Sequence, residues 1–164
     1  MSEVKDFDIC IIKKEFFSFI ENKNGLDKTS EINTKESRIY LCLLMNINNN
    51  TFLIPFESEV PQTEALLQNS LYALPSETRP KAGLNFEKLL IINDHSYLNI
   101  IPNPQIANSQ KKEIENNQQA IKNKLEKYVS KYIKACNKKR EHREYIFRFS
   151  TLHLFKKELG IPEN

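Results

Sequence analysis

Two apolar segments on either side of three asparagines decide the fold: residues 39–46 read IYLCLLMN and residues 51–56 read TFLIPF. Both runs are rich in the aromatic and branched side chains that favour strands. Residues 48–50 are all asparagine, a residue that tolerates the left-handed backbone of tight turns. Pro55 comes near the end of the second run, where its missing N–H disturbs pairing least. The stretch therefore predicts a β-hairpin.

Shorter patterns flank this hairpin in the amino-terminal half. Residues 9–12 (ICII) predict a strand, and apolar side chains at near-helical spacing over residues 13–22 predict a short amphipathic helix. Residues 23–36 are polar and predict a long loop. Residues 63–71 predict a second short helix with Thr63 as its N-cap.

A long amphipathic pattern dominates the carboxyl-terminal half. Apolar residues recur at helical spacing within residues 106–140, which predicts a helix of several turns, broken near its start. The remaining patterns predict strands at residues 89–92, 97–101 and 145–149, a loop at 75–83 and a final helix at 151–159. Together these elements predict an α+β fold, in which helices pack against a strongly bent antiparallel sheet.

Size and composition predict a single domain over residues 1–164, because 164 residues with 40% hydrophobic content can bury one core. Nothing approaches 18 consecutive apolar residues, and the acidic, polar start lacks the basic and apolar regions of a secretion signal. The cysteines Cys10, Cys42 and Cys136 form no CxxC pair and are odd in number. We therefore expect reduced thiols, a cytoplasmic location and no membrane partner.

Charge is unevenly distributed along the chain. Residues 1–109 carry 10 Lys and Arg against 14 Asp and Glu, whereas residues 110–149 carry 12 against 5, a net of +7. Such a separation suggests a polyanion partner, although a solvated basic helix explains it equally well. The candidate phosphate-binding cations are Arg79, Lys81, Lys111, Lys112, Lys122, Lys124, Lys131, Lys138, Lys139 and Arg140.

Common catalytic signatures are missing from the sequence: it contains no GxxxxGK[ST], GxGxxG, HExxH or GxSxG. His95, His142 and His153 lie far apart, without a local acidic or cysteine motif. Cations and hydroxyl groups remain, and they can suffice to cut RNA. The RNA supplies its own 2′-OH as nucleophile, and the protein has to hold the geometry and stabilise the negative charge.

Four segments in order resemble the ToxN/AbiQ family of type III toxin–antitoxin endoribonucleases. They are KKEFFSFIENKN at residues 13–24, FLIPFES at 52–58, AGLNFEKLLIIN at 82–93 and FRFSTLHLFKKELG at 147–160. The resemblance spans about residues 7–160. It implies a compact, kinked antiparallel sheet of the MazF/Kid type, with flanking helices that include the long basic one near the carboxyl terminus.

The resemblance also implies an activity and partners. It implies metal-independent cleavage of cellular or phage RNA that leaves a 2′,3′-cyclic phosphate, with no cofactor. It implies inhibition by a small repeat RNA that folds as a pseudoknot, a cyclic toxin–RNA assembly and a role in phage defence by abortive infection.

The family's site residues map onto the hairpin of this chain. Its active-site serine falls on Ser58, and a lysine near the start of the first strand falls on Arg38, which keeps the charge. Glu57 stands just before Ser58, as a further catalytic candidate or as the ion-pair partner of Arg38. Glu57 itself departs from the family, which usually has threonine there. Two further positions depart and lose a polar group: Val60 replaces a frequent lysine, and Phe16 replaces a tyrosine.

Two other classes of function remain open at this point. One is a non-catalytic nucleic-acid-binding module, which the basic carboxyl-terminal half would explain by itself. The other is an interaction protein whose long helix pairs with a protein partner. The endoribonuclease and the nucleic-acid-binding module both predict a steep dependence of nucleic-acid affinity on salt, and the interaction protein does not.

Overall fold

The computed structural model describes residues 3–24 and 38–162 and has an α+β fold, as predicted. Short 3-10 helices cover Phe86–Lys88, His95–Tyr97 and Thr151–Leu154. The strands are β1 Ile9–Ile12, β2 Tyr40–Met45, β3 Asn50–Glu57, β4 Leu71–Ala73, β5 Gly83–Asn85, β6 Leu90–Ile91 and β7 Leu98–Ile100. The α-helices are α1 Lys14–Asn24, α2 Glu64–Asn69, α3 Asn108–Asn116 and α4 Gln118–Asn137.

The predicted hairpin is the centre of the sheet. β2 pairs antiparallel with β3, from Tyr40 opposite Pro55 to Met45 opposite Asn50. Its turn uses left-handed backbone at Asn48 (φ 53°) and Asn49 (φ 55°), a conformation that asparagine adopts at little cost. Nearly every residue of both strands is buried, so the apolar runs are continuous rather than alternating.

The sheet runs in the order β4-β5-β3-β2-β1-β7, and all its pairs are antiparallel. β3 changes its outer neighbour along its length. Phe52 and Leu53 pair with β6, whereas Phe56 and Glu57 pair with β5. Pro55, which cannot donate a ladder hydrogen bond, lies between these two pairings. The carboxyl end of β3 is thereby held beside β5.

The long helical pattern forms two helices, with a break near its start as predicted. Asn117, at φ −129° and ψ 31°, separates α3 from α4. The buried stripe of α4 includes Ile121, Leu125, Tyr128 and Tyr132, each at most 1% exposed. Fully burying a side chain of this size contributes about 1.5–3 kcal/mol, so this stripe fixes α4 against the sheet. In the described ranges, no helix combines the length and hydrophobicity needed to cross a bilayer.

Thr63 caps α2 as predicted, since its hydroxyl accepts from the Leu66 N–H. The predicted strand at residues 145–149 is wrong: this segment is a series of turns. The predicted final helix is regular only in the 3-10 turn Thr151–Leu154. Most of the loop predicted at residues 23–36 lies outside the described residues, and its first two positions end α1.

Candidate functional site

A cleft of about 600 Å³ opens where four parts of the chain meet. Its walls are the residues before β2, the end of β3, the loop between β4 and β5, and the start of α3. The lining includes two arginines, a carboxylate and several hydroxyls: Arg38, Glu57, Ser58, Ser76, Thr78 and Arg79. A concave surface with convergent polar groups is the usual form of a binding or catalytic site.

An ion pair forms one side of this cleft. The Arg38 Nη1 donates to Glu57 Oε1 at 3.1 Å, and Asn85 Nδ2 donates to Glu57 Oε2 at 2.9 Å. The Arg38 and Glu57 side chains are only 16% and 18% exposed. Charge-assisted hydrogen bonds of this kind fix the orientation of both partners. A guanidinium carries five N–H donors, and this pair uses one of them.

Tyr40 lies two positions after Arg38, and the charges of Arg38 and Glu57 both act on its hydroxyl. Burial raises the pKa of Tyr40 to about 12; the Glu57 carboxylate adds to the increase and Arg38 opposes it. Burial, together with Glu57, likewise raises the pKa of Glu87. The phenol of Tyr40 is therefore neutral at physiological pH, and it is 2% exposed. This position supports the site from within the core.

The exposed Ser58 follows directly after β3. The loop opposite is tightly turned: Ser76 and Arg79 exchange backbone hydrogen bonds of 3.0 and 3.2 Å, and Ser76 Oγ accepts from the Arg79 N–H. A bond of 2.9 Å from the Val60 N–H to the Lys81 carbonyl ties the chain after Ser58 to this loop. The backbone of Arg79 is therefore fixed near the serine.

A second hollow of about 510 Å³ adjoins the cleft. Both are lined by Ser58, Thr78 and Arg79, and the second hollow adds Lys81. Ser58 thus lines two adjoining concave surfaces, one of which it shares with both Arg38 and Arg79. Such an arrangement can hold an extended anion whose neighbouring charged groups occupy both hollows.

The start of α3 closes the cleft on the remaining side. Gln110 is buried; its side-chain amide donates to the Leu74 carbonyl at 2.8 Å and accepts from the Ala107 N–H at 3.1 Å. Ser109 Oγ donates to the Pro75 carbonyl at 3.4 Å. These bonds fix α3 to the β4–β5 loop, so that its first turn forms a rigid wall.

The structure brings together four of the residues singled out from sequence: Arg38, Glu57, Ser58 and Arg79 line one cleft although they span 42 positions of the chain. Lys81 lines the adjoining hollow. Lys111 and Lys112 lie on α3, just beyond its cleft-lining turn.

The cations predicted farther along the chain have different surroundings. Lys122 donates to the Leu44 carbonyl and pairs with Asp6, and Lys124 donates to the Leu67 carbonyl. Burial lowers the pKa of Lys124. Lys131 donates to the Asn69 side chain at 3.0 Å. By contrast, the exposed cations that follow α4 are Lys138, Lys139 and Arg140, the last 3.7 Å from Glu144.

The two positions that depart from the family pattern are core residues here. Phe16 is 3% exposed and packs edge-on against Phe17 and Tyr97, with ring centroids 5.8 and 5.4 Å apart. Val60 is 3% exposed. Neither lines the cleft. Arg79, on a different segment, provides a cation beside Ser58.

Several cleft residues had no distinctive sequence pattern. Ser76, Thr78 and Gln110 are common polar residues, and only the tertiary contacts bring them to the cleft. Asn85 likewise reaches the cleft residue Glu57 only through the pairing of β5 with β3. Gly83 lines it because β5 pairs with the end of β3. Among residues 3–24 and 38–162 there is no group of three or more His, Cys, Asp or Glu side chains placed to hold a metal ion.

Comparison with known proteins links this fold to a solved structure. The chain matches no protein-family model and no curated protein. Its fold is similar to a solved structure from bacterial type III toxin–antitoxin systems, in which a non-coding RNA pseudoknot selectively inhibits the toxin. The TM-score is 0.55 and the sequence identity 16%, over 75% of this chain and 77% of the other. This chain therefore has the fold of a type III toxin–antitoxin structure.

Proposed function

We propose that this protein is the toxin of a type III toxin–antitoxin system and that its cleft cuts RNA without a metal ion. One observation carries the proposal: Arg38, Glu57, Ser58 and Arg79, picked out by type and motif, line a single cleft. The fold likeness to a structure whose toxin is inhibited by an RNA pseudoknot supports it.

The proposed reaction is transfer of the phosphoryl group to the neighbouring 2′-oxygen. The 2′-OH attacks the adjacent phosphorus and loses its proton, the bond to the 5′-oxygen breaks, and that oxygen gains a proton. The products are a 2′,3′-cyclic phosphate and a 5′-hydroxyl. The barrier depends on stabilising charge on the phosphorane oxygens and on holding the 2′-oxygen in line.

Each cleft residue has a role in this proposal. The guanidinium groups of Arg38 and Arg79 stabilise the phosphorane oxygens as two-donor forks, and the Ser58 hydroxyl donates to one of them. Glu57 orients Arg38 through their 3.1 Å contact. The neighbouring phosphates of the RNA substrate contact Lys81, Lys111 and Lys112.

The proposed partner is a small repeat RNA that folds as a pseudoknot and covers the cleft, with which the toxin assembles into a ring. The cations after α4, which are Lys138, Lys139 and Arg140, extend the proposed RNA contact. We expect smaller contributions from Lys122, Lys124 and Lys131, because their ammonium groups already bond to Leu44, Leu67 and Asn69. We propose phage defence in the cytoplasm as the biological setting.

A non-catalytic nucleic-acid-binding module with a basic carboxyl-terminal helix is the second candidate. The burial of Phe16 and Val60 favours it, because two positions that are polar in the family carry no polar group here.

Growth arrest tests which of the two candidates holds. Induced from a tight promoter, the wild-type chain should stop growth, and Ser58→Ala, at equal soluble protein, should not. Removing one donor to a developing oxyanion typically lowers a rate by about 10²–10³-fold. Ser130→Ala, an exposed change on α4, serves as the matched control and should arrest growth like wild type. If Ser58→Ala arrests growth equally, or if wild type is harmless, the enzyme proposal is wrong.

A further inference from the structure

The turn segment that follows α4 exposes two large aromatic rings. Tyr145 is 64% exposed and Phe149 56% exposed, more than any other large hydrophobic residue that the structure describes. Single exposed rings are common on protein surfaces, whereas exposed apolar groups that adjoin one another within a polar rim often mark an interaction site.

Arg148 connects these two rings. Its guanidinium carbon lies 5.8 Å from the ring centroid of Tyr145 and 5.8 Å from that of Phe149. Both distances are within the range of a cation–π contact. Tyr145, Arg148 and Phe149 therefore form a continuous exposed group of planar side chains, here called the aromatic platform.

The surroundings of the platform are positively charged. Residues 138–149 carry five Lys and Arg against two Glu. Both acidic side chains are engaged with cations, since Glu141 pairs with Lys156 at 2.9 Å and Glu144 lies 3.7 Å from Arg140. The exposed Lys138, Lys139 and Arg143 leave a field that favours an anion.

The platform is held by contacts to the core. Phe147, which lies between Tyr145 and Phe149 in the chain, is fully buried. Its ring packs edge-on against Tyr128 and Tyr132, with ring centroids 5.4 and 5.3 Å apart. The Phe147 carbonyl accepts from His153 Nε2 at 2.7 Å. The Tyr132 hydroxyl lies 2.7 Å from the other ring nitrogen of His153. Side chains held on a rigid base bind with less loss of conformational entropy.

We propose that the aromatic platform binds the unpaired bases of single-stranded RNA, which stack on Tyr145, Arg148 and Phe149 while the neighbouring cations contact phosphates. Every base has a π-face and every linkage a negative charge, so aromatic rings and cations together suit a single strand. A duplex hides its base faces, so it would contact the cations and leave the two rings without a stacking partner.

The choice of RNA over DNA rests on the proposed function. The proposal that unpaired bases stack on the platform does not depend on that function. Within the described part of the chain, the platform and the cleft share no lining residue. The platform is therefore a separate contact, which would hold unpaired nucleotides of the antitoxin or of the substrate outside the cleft.

Binding of a non-cleavable strand tests this proposal. The probe is a labelled, unpaired 2′-O-methyl RNA of roughly ten nucleotides, a usual site size for single strands. The comparison is a hairpin of the same chemistry whose fully paired stem is closed by a linker without bases. The 2′-O-methyl group removes the nucleophile. Fluorescence anisotropy measures Kd for wild type, for Tyr145→Leu with Phe149→Leu, and for Phe19→Leu, which alters an exposed ring elsewhere (47% exposed).

We expect the double variant to bind the unpaired probe at least about five-fold more weakly, the low end of one lost base–aromatic stack. Its affinity for the hairpin should change by less than about two-fold, as for an ordinary surface substitution.

Phe19→Leu should bind both probes as wild type does. Arg148→Gln should reduce the affinity for the unpaired probe more than Lys157→Gln, which removes another exposed cation.

Three results would overturn the proposal: unchanged binding by the double variant, an equal loss on the hairpin, or an equal loss in Phe19→Leu. Tighter binding of the matching single-stranded DNA would overturn the RNA assignment. The probe is not cut, so the outcome is separable from catalysis. If the wild-type protein does not cleave RNA but the double variant still loses affinity for the unpaired probe, the platform proposal stands and only the proposed enzyme activity is refuted.

Discussion

At the scale of single residues, the ion pair of Arg38 and Glu57 is the feature that gives the cleft its geometry. Its two side chains are mostly shielded from water, and Asn85 donates to the second Glu57 oxygen. A shielded pair is stronger per contact than an exposed one but costs more to desolvate. Such a pair is therefore better explained by orientation of Arg38 than by stability alone.

Arg38 variants test this role. Arg38→Gln removes the charge and should lower the single-turnover rate of RNA cleavage by about 10²-fold or more, as for a lost oxyanion donor. Arg38→Lys keeps the charge but loses the two-donor fork, so its rate should lie between those of Arg38→Gln and wild type. Glu57→Gln should lower the rate while changing KM less, because Glu57 acts by orienting Arg38.

The matched control is Lys157→Gln, which removes one exposed positive charge outside the cleft. It should cleave at the wild-type rate. Circular dichroism and thermal unfolding should confirm that each variant is folded. Equal rates in Arg38→Gln and Lys157→Gln would remove Arg38 from the proposed site.

The sequence singled out four of the residues that line the cleft, but it did not predict that they would meet there. Ser58 and Arg38 came from a resemblance of local motifs, and Arg79 from its place on an exposed loop. Ser58 and Arg79 are 21 positions apart, and they share a cleft because β5 pairs with the end of β3 and the Lys81 carbonyl accepts from Val60. Such long-range contacts leave no local pattern.

At the scale of elements, the site depends on the three-residue strands β4 and β5. Gly83 faces Glu57 on one side and Ala73 on the other. A Cβ at Gly83 would lie 2.6 Å from Leu71 Cδ1 and 2.9 Å from the Tyr72 carbonyl oxygen. The carbonyl belongs to the backbone and cannot rotate away, so a larger residue must separate the strands.

Gly83→Ala should therefore destabilise the protein by about 1–3 kcal/mol, the usual range for overpacking. It should also lower cleavage, because the same strand places Glu57 beside Asn85. Urea unfolding gives the free energy of unfolding, and the cleavage assay gives the rate. Ser130→Thr also adds one methyl group, but on the exposed side of α4, and should change stability by less than about 0.5 kcal/mol. Equal stability of the two variants would contradict the packing at Gly83.

The elements that sequence predicted best are those with strong local patterns. The hairpin formed because two apolar runs meet at asparagines that adopt positive φ, and the helical stripe of residues 106–140 formed α3 and α4. The strand predicted at residues 145–149 failed for a physical reason. Only Phe147 is fully buried there, while Tyr145 and Phe149 are exposed, so the aromatic content reflects surface rings rather than a sheet.

At the scale of the whole molecule, the uneven distribution of charge predicts that the protein binds an RNA stably and does not only contact it during cleavage. Residues 110–149 carry a net charge of +7. Lys81 lines the hollow beside the cleft, Lys112 lies on α3, whose first turn lines the cleft, and both lysines are exposed. Protein expressed with its native flanking DNA should therefore purify with a discrete short RNA. Each phosphate contact should add about −0.7 to −0.9 to the log–log slope of affinity against salt.

Removing both charges in Lys81→Gln with Lys112→Gln should make that slope shallower by about 1.5 and reduce the RNA that copurifies. The double variant Lys14→Gln with Lys157→Gln removes the same charge from exposed positions outside the cleft and should leave the slope unchanged. Equal effects of the two pairs, or copurification of a protein without RNA, would favour the interaction-protein alternative.

The central claim is that this cleft cuts RNA through the 2′-OH, and the most direct test is the chemistry of the cleaved ends. Purified protein and RNA are mixed in excess EDTA, and mass spectrometry identifies the product termini. The account predicts undiminished cleavage, 2′,3′-cyclic phosphate and 5′-hydroxyl ends, no cleavage of 2′-O-methyl RNA, and a rate in Ser58→Ala lower by about 10²-fold or more. Cleavage that EDTA abolishes and magnesium restores, or products with 5′-phosphate ends, would contradict it.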